Sequence, residues 1–501
     1  MELRFFGGIR DSIHGLILFT KLESDIINTM HMDRLRYIKN SAFAYRVYPS
    51  HTTTRFTHSL GVMFLAYQMG KIALQRYIRL TRKKEAWSDE ISSEYKPNEV
   101  LQILRLTGLL HDVGHGPFSH SIEPIMHEVL QKTEKSALEE MQKLGLDAVH
   151  EYYSYKLITG KTEIKELIES SGINPLDVAV LLTKKENSEH KGHLDPKGIQ
   201  LLKSIISSQI DADRLDNLLR DSNGVGVPYG LIDIDNIINN IYIHRDEHGL
   251  NIVYHIRALD SIEHMLDSRY KMYRWIYLHR LNILYDAILL KVVKNMIEES
   301  ILDPKLFLWH NLSRNWGDYT DDSMILKAIT NAYNEGKIKC WLATGFFRQN
   351  NLPIPVWRNF EDLLSLLGLG VRGGAKLVDK ITDNFKNNID EFSAIIERRV
   401  NEKIGDNVSI LVGLKEAPPA YKWREEGIKL RVDREKLEDI FEVSFYVKRL
   451  YEIGNIYRPF YVYFFKEREN RSAYSKLYSK VRNSVKEVLL ELFENEKNNN
   501  N

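Results

Sequence analysis

The chain has 501 residues, 43% of them hydrophobic and 27% charged, which allows two or three buried cores and excludes a disordered or fibrous protein. Its 69 basic and 68 acidic residues leave a net charge of +1, so a polyanion must be met by a local pocket rather than by a global field. The single cysteine, Cys340, excludes a disulfide framework and a cysteine-based zinc site; with no apolar run near the ~20 residues of a membrane span and no apolar signal core, the expectation is a cytoplasmic protein with no membrane partner.

In chain order, apolar residues at helical spacing predict helices over Arg55–Tyr77, Glu99–His111, Ile199–Arg220 and Ala258–Glu299. Two polar insertions, Thr81–Asn98 and Lys184–Lys197, read as surface loops. A strand pair is expected at Ile241–His244 and Asn251–His255, turned by Asp246–Gly249. Beyond about Glu335 the pattern alternates, at Val408–Gly413, Ile428–Val432, Val443–Val447 and Tyr461–Phe465. A closing helix, Ser472–Phe493, precedes a tail expected to be disordered. The fold class is therefore mainly α: a helical core over residues 1–330 and a smaller mixed α/β lobe over 331–501.

Four segments carry chemistry: RFTHSLGV from Arg55, HDVGHGPFSHSIE from His111, VHEYY from Val149 and IDADRLDNLLRDS from Ile210. Imidazoles and carboxylates together can hold a divalent metal and leave positions open for water and substrate. His111 and Asp112 end a predicted helix, where the turn into Gly114 lets both face one ion. His58 and Asp213 then come from other helices of the bundle. Singly these signals are weak, because a lone histidine on a helix face is more often a satisfied core or surface group. Jointly they sit inside longer matches.

Those matches run from DRLRYIK at Asp33 through RFTHSLGV and HDVGHGPFSH to RYKMYRWIYLHR, ending at Arg280. Over this span the sequence resembles the HD-domain superfamily of metal-dependent phosphohydrolases, and within it the deoxynucleoside triphosphate triphosphohydrolases. The resemblance implies an HD-domain helical bundle whose metal ligands are His58, His111, Asp112 and Asp213, the register of DRLD…RD choosing Asp213 over the flanking Asp211 and Asp216. It implies that His120 donates a proton to the leaving 5′ oxygen, with Glu123 orienting it, His150 and Glu151 as a further pair, and His115 on the α-phosphate. Arg55, Arg214 and Arg269 match phosphate-binding positions; Asn40, Asn217, Asp221 and Tyr277 match the sugar side. The implied cofactor is a divalent metal (Mn, Fe, Zn, Ni or Mg), the substrate a nucleoside triphosphate, and the assembly a homo-oligomer, dimer or tetramer. The implied reaction is hydrolysis at the α-phosphorus to nucleoside and intact triphosphate.

Three departures from the family pattern bear on specificity. Asn40–Ser41 stand where the family carries Gln-Leu, and Asn217 stands for a tyrosine, so sugar selectivity should be relaxed. The segment IINTM puts Asn28 and Met30 where relatives read a guanine activator with an aspartate and a proline; only Arg36 is kept there. Leu278 replaces a glutamine beside the base. Two other readings stay open: an HD-superfamily phosphohydrolase or nuclease acting on another nucleotide or single-stranded nucleic acid, and a catalytically inactive scaffold. Nuclease action would use Arg458–Lys486 as a basic, aromatic surface, but Glu467, Glu469 and Glu487 interleave there, so nucleic acid is not favoured as a partner.

Overall fold

The apolar stripe starting at Phe56 becomes one 27-residue helix, Arg55–Thr81, in the computed structural model. The structure describes every residue except 1–2, 82–83, 186–191, 247–248, 339–351, 386–387, 416–426, 434–435, 455–456, 467–470 and 499–501. Cys340, the centre of the 246–249 turn, half of the second polar insertion and part of the basic segment lie outside the described residues. No described helix is long and apolar enough to cross a membrane.

Two units emerge, and they interleave along the chain. Met1–Met272, Asp303–Lys327 and Ala420–Leu450 form the first; Tyr273–Leu302, Ala328–Pro419 and Tyr451–Asn501 form the second. The division is therefore not two consecutive stretches meeting at residue 330.

The first unit opens with an antiparallel hairpin, β1 (Gly7–Asp11) and β2 (Gly15–Phe19), which the sequence reading did not anticipate. Helices α1 (Arg55–Thr81) and α2 (Pro97–Leu110) follow, with Leu60, Met63, Leu101 and Leu104 buried in the core. Next come α3 (Glu123–Thr133), α4 (Val149–Thr159) and α5 (Ala212–Val225). A four-stranded sheet holds β3 (Ile241–Asp246), β4 (Gly249–His255), β5 (Lys429–Arg431) and β6 (Leu437–Asp439) in the order β6-β5-β4-β3. Strand β5 runs parallel to β4, Leu430 beside Tyr254, and that pairing ties Ala420–Leu450 to the first unit rather than to a C-terminal lobe.

The second unit has a three-stranded antiparallel sheet with Phe460–Phe465 between Ile354–Pro355 and Ser409–Leu414. Trp357 is fully buried beneath it and donates its indole N–H to the Phe460 carbonyl at 2.6 Å. Within the basic segment, Lys466 and Arg482 are paired with Asp406 and Asp362, each at 2.6 Å, and Arg458 with Asp379. These three cations are paired with acids from outside the segment, not with the interleaved glutamates.

Several elements differ from expectation. Ile199–Arg220 is two helices, Pro196–Ile206 and α5, because the Asp211 carboxylate accepts the N–H groups of Ser208 and Arg214 and starts a new helix. Ala258–Glu299 breaks at a π-turn, Tyr273–Tyr277, after which His279 caps Arg280–Glu298. Val443–Val447 is helical, not a strand: Asp439 caps Ile440–Val443, and Ser444 accepts the Val447 N–H. The first polar insertion contains a helix, Lys84–Glu90. The last helix, Arg471–Asn498, extends through most of the tail expected to be disordered.

Candidate metal centre

One face of α5 supplies much of the site. Asp213, Asp216, Asn217, Arg220 and Asp221 fall at i, i+3, i+4, i+7 and i+8, so the helix turns a polar stripe inward. Opposite it stands the first turn of α1, with Arg55 and His58, and from the side comes the loop after α2, with His111, Asp112 and His115. Gly114 is required there: a Cβ would lie 2.4 Å from the His150 carbonyl oxygen and the Ser154 nitrogen. The loop is fastened by Ser154, whose hydroxyl bridges the Gly114 N–H and the His111 carbonyl. Buried Arg34 adds bonds to the carbonyls of Val113 and His115, at 2.8 and 2.6 Å.

Four ligand atoms converge. His58 Nε2 lies 3.0 Å from Asp213 Oδ1 and 3.6 Å from Asp112 Oδ2; His111 Nε2 lies 3.3 Å from Asp112 Oδ2 and 3.9 Å from Asp213 Oδ1. Two atoms each about 2.1 Å from a shared ion are separated by roughly 3.0 Å at a right angle and more when splayed, so these edges suit one cation.

The hydrogen bonds fix which nitrogen faces inward. His111 Nδ1 sits 2.8 Å from the Gly108 carbonyl, which only accepts, so Nδ1 carries the proton. Its Nε2 is buried and makes no hydrogen bond. His58 Nδ1 donates likewise to Asp216 Oδ2 at 2.7 Å. A histidine held through one nitrogen and open at the other is the usual arrangement around a protein-bound metal.

The electrostatics agree. Burial opposes charge on Asp213, but His58 and His111 outweigh it and bring the carboxyl down to about 2. Asp112 is likewise held well below the ordinary range, against its burial, by Arg55, His111 and His115. Burial also opposes charge on His58, yet Asp213 and Asp216 raise its pKa to about 10. The point between these groups attracts positive charge. Two imidazoles and the Asp213 carboxylate, one imidazole nitrogen orphaned, with Asp112 beside the histidines, fit a divalent metal without selecting among Mn, Fe, Zn, Ni and Mg.

A second cluster adjoins the first. The nitrogens of His115, His120 and His150 and a Glu123 oxygen lie within 4.8 Å of one another. His115 stacks on His150 at 3.8 Å, and its Nε2 is 3.3 Å from Asp112 Oδ1. Glu123 binds His150 Nδ1 at 2.6 Å and accepts two backbone N–H groups at the start of α4. It therefore orients His150, not His120 as the resemblance implied. His150 is raised by Glu123 in spite of burial, and Glu123 falls to about 2 in spite of its own. Surrounding protein, with the charges of Arg55 and His150, depresses the proton affinity of His120. His120 remains the exposed member of the group. It follows two left-handed residues, Phe118 and Ser119 (φ 56° and 53°), a strained turn held by Asp322 on the Phe118 N–H and by the Ser119 hydroxyl on the Lys39 carbonyl.

The remaining expected residues divide. Arg55 is buried, with Nη1 2.5 Å from Asp112 Oδ2 and Nε bonded to Ser119. Asn40 donates to Asn217 Oδ1 at 2.8 Å and to Asp221 Oδ1 at 3.3 Å, and Asn217 donates to Asp213 at 2.7 Å, so these positions form one network. Arg214 lies beside Asp211, 3.6 Å away. Arg269 is buried on Leu259–Met272. Tyr277 belongs to the second unit, edge-on to Tyr273. Glu151 is turned away: its carboxylate caps α4 through the N–H groups of Asp147 and Ala148.

The sequence reading missed the outer support. Asp216, fully buried, receives His58, His14 and Arg220, and Arg220 also grips Asp11. Gly61 makes room for it, since a Cβ there would lie 1.8 Å from Asp216 Oδ1. The i+3 spacing from Asp213 was the available signal.

Comparison with known proteins agrees with this geometry. Residues 55–218, which span both α1 and α5, match the family model described as HD domain. This stretch is an HD domain. An uncharacterised protein of Methanocaldococcus jannaschii is 30% identical over 297 residues, 59% of this chain and 51% of that one. A deoxynucleoside triphosphate triphosphohydrolase of Bos taurus is 28% identical over 295 residues, 56% of this chain and 46% of that one. The chain thus spans about half the length of these curated relatives. The crystal structure of a phosphohydrolase from Bacteroides thetaiotaomicron, 21% identical, superposes with a TM-score of 0.60 over 92% of this chain and all of that one, which shows a shared fold.

Proposed function

We propose that the chain is a metal-dependent phosphohydrolase that cleaves nucleoside triphosphates, deoxy and ribo, at the α-phosphorus to nucleoside and intact triphosphate. The observation that carries this reading is the convergence of His58, His111, Asp112 and Asp213 beside a cluster of three histidines and a buried arginine. The similarity to a triphosphohydrolase supports the substrate class. Those four residues would hold the metal. When bound, it neutralises charge on a phosphoryl oxygen and acidifies a water.

The chain's own groups divide the remaining work. Arg55 supplies a fixed cation with a fork that suits phosphate oxygens. His115, buried with its Nε2 3.3 Å from Asp112 Oδ1, is proposed to contact the same phosphate. Water oxygen bonds to phosphorus as the bond to the 5′ oxygen breaks, and a proton from His120 goes to that oxygen, so the nucleoside departs as an alcohol. The charge of an arriving triphosphate raises the proton affinity that Arg55 and His150 depress, and so loads His120 when substrate is present. Arg214 and Arg269 are proposed on the phosphate tail. Asn40, Ser41 and Asp221 are linked by hydrogen bonds of 3.0–3.3 Å where the family has a bulkier pair, and such a polar surface tolerates a 2′-hydroxyl. A homo-oligomer is part of the same proposal.

Incubation with each dNTP and NTP plus Mn²⁺, followed by anion-exchange analysis, tests it. Nucleoside and free triphosphate in equal amounts are expected, from both sugar classes. Monophosphate plus pyrophosphate would refute cleavage at the 5′ oxygen.

A further inference from the structure

The β1–β2 turn reaches into the support of the metal centre, although nothing in its sequence marks it as functional. The Asp11 carboxylate accepts the N–H groups of Ile13 and His14, each at 2.9 Å, and closes the turn that Gly15 completes at φ +73°. That turn delivers the imidazole of His14 to the interior, 5.1 Å from the Phe64 ring, with Nε2 2.6 Å from Asp216 Oδ1.

Asp216 is saturated. Its Oδ1 accepts from His14 Nε2 and Arg220 Nη2, its Oδ2 from His58 Nδ1 and Arg220 Nε, at 2.6–2.9 Å. A carboxylate offers about four lone-pair sites, so every direction is taken and the group cannot pivot without breaking a bond. Arg220 is itself fixed by both oxygens of Asp11, at 2.9 and 3.2 Å. The path His14–Asp216–His58 is therefore a rigid line from the hairpin turn to a ring whose Nε2 faces the other ligand atoms. Remove His14, and Oδ1 keeps one donor of two; the carboxylate can rotate about Arg220 and carry the His58 ring with it.

We propose that His14 is a positioning residue of the metal centre: through Asp216 it sets the orientation of His58 and so the affinity of the site for a divalent cation. The inference rests on the metal reading of His58, His111, Asp112 and Asp213. A group that holds a ligating histidine directly, as Asp216 holds His58, is worth about 10–100-fold in metal affinity, and His14 acts one hydrogen bond further out.

The test compares His14→Gln and His14→Leu with wild type in the full chain, by Co²⁺ titration against a competing chelator and by thermal melting of the metal-free proteins. Glutamine places an amide N–H near the position of Nε2; leucine fills the space without a donor. The expected result is a loss of up to about 10-fold in Co²⁺ affinity for H14L, the lower end of the range for a direct partner of a ligand, with H14Q near wild type. Equal affinities in all three proteins, with only the melting temperature lowered, would overturn the proposal and leave His14 a packing residue. Should H14L not fold, His14→Asn takes its place, an amide too short to reach Asp216. Retention by H14Q and loss by H14N support the proposal; equal affinity refutes it. Wild-type protein that takes up no Co²⁺ would instead overturn the metal reading itself, and this proposal with it.

Discussion

The two clusters in the HD domain use the same side chains to opposite ends. Around Asp112 and Asp213, each imidazole is tied through Nδ1 to an acceptor, Gly108 O or Asp216, and turns its Nε2 toward a carboxylate. A few ångströms away, His115, His120 and His150 face one another, with Glu123 on His150 and Asp112 Oδ1 beside His115. The first arrangement lowers carboxyl pKa values and raises that of His58, as a cation site must. The second holds the proton affinity of His115 and His120 down through the surrounding protein and the charges of Arg55 and His150. Imidazole count does not distinguish a metal site from a proton-transfer site. In the first cluster both histidines are tied through Nδ1, whereas in the second His150 alone is.

The strongest attempt to break this distinction is His111→Ala with Asp112→Ala. It removes two of four ligand atoms, so both bound metal and turnover should fall to background, by at least about 10³-fold in rate; nucleotide hydrolysis at the wild-type rate would place the centre elsewhere. His120→Gln sharpens the contrast from the other side. Turnover should drop by about 10²–10⁴-fold while metal content, read by elemental analysis, stays at one ion per chain. Two ions per wild-type chain, falling to one in H120Q, would instead make the histidine cluster a second metal site. Gly61→Ala should act on the first cluster alone. Its methyl collides with Asp216, and metal affinity is expected to drop by about 10–100-fold with the histidine cluster unaffected.

Residues were legible where function demands an unusual side chain and obscure where it demands an ordinary one in an unusual place. His58, His111, Asp112 and Asp213 stand out because each lies inside a longer stretch resembling a known family, and long helices such as α1 announce themselves by period. Asp216 looked like one more acid on a charged helix, and only the inward turn of the whole α5 stripe reveals it. His14 carries no local signal, since its partner is 202 residues away. The misread β5 segment has the same cause. Its alternation shows a strand but not that it pairs with β4, because strand partnership is a long-range choice. Glu123 shows a further gap: sequence proximity to His120 suggested a pair, whereas the start of α4 brings His150 closer.

That Glu123–His150 pair gives the smallest effect and the clearest sign. The glutamate's pKa falls from its ordinary 4.5 to about 2 on folding, so its contribution is present above pH 4.5 and is lost as pH drops toward 2. The histidine's is raised from 6.5, so its contribution is complete below pH 6.5 and is lost as pH rises through the raised value. Both are in force only between about pH 4.5 and 6.5. Glu123→Gln should therefore cost about 1.5–3 kcal/mol in that window, as expected for hydrogen bonds to a charged group, and less on either side. Thermal melts of metal-free wild type and E123Q across pH 3–9 measure it. A difference that peaks in the window identifies a charged pair, and hence a histidine cluster holding one fixed positive charge beside His120. A pH-independent difference would make the pair neutral and leave the depressed proton affinity of His120 to burial and Arg55 alone.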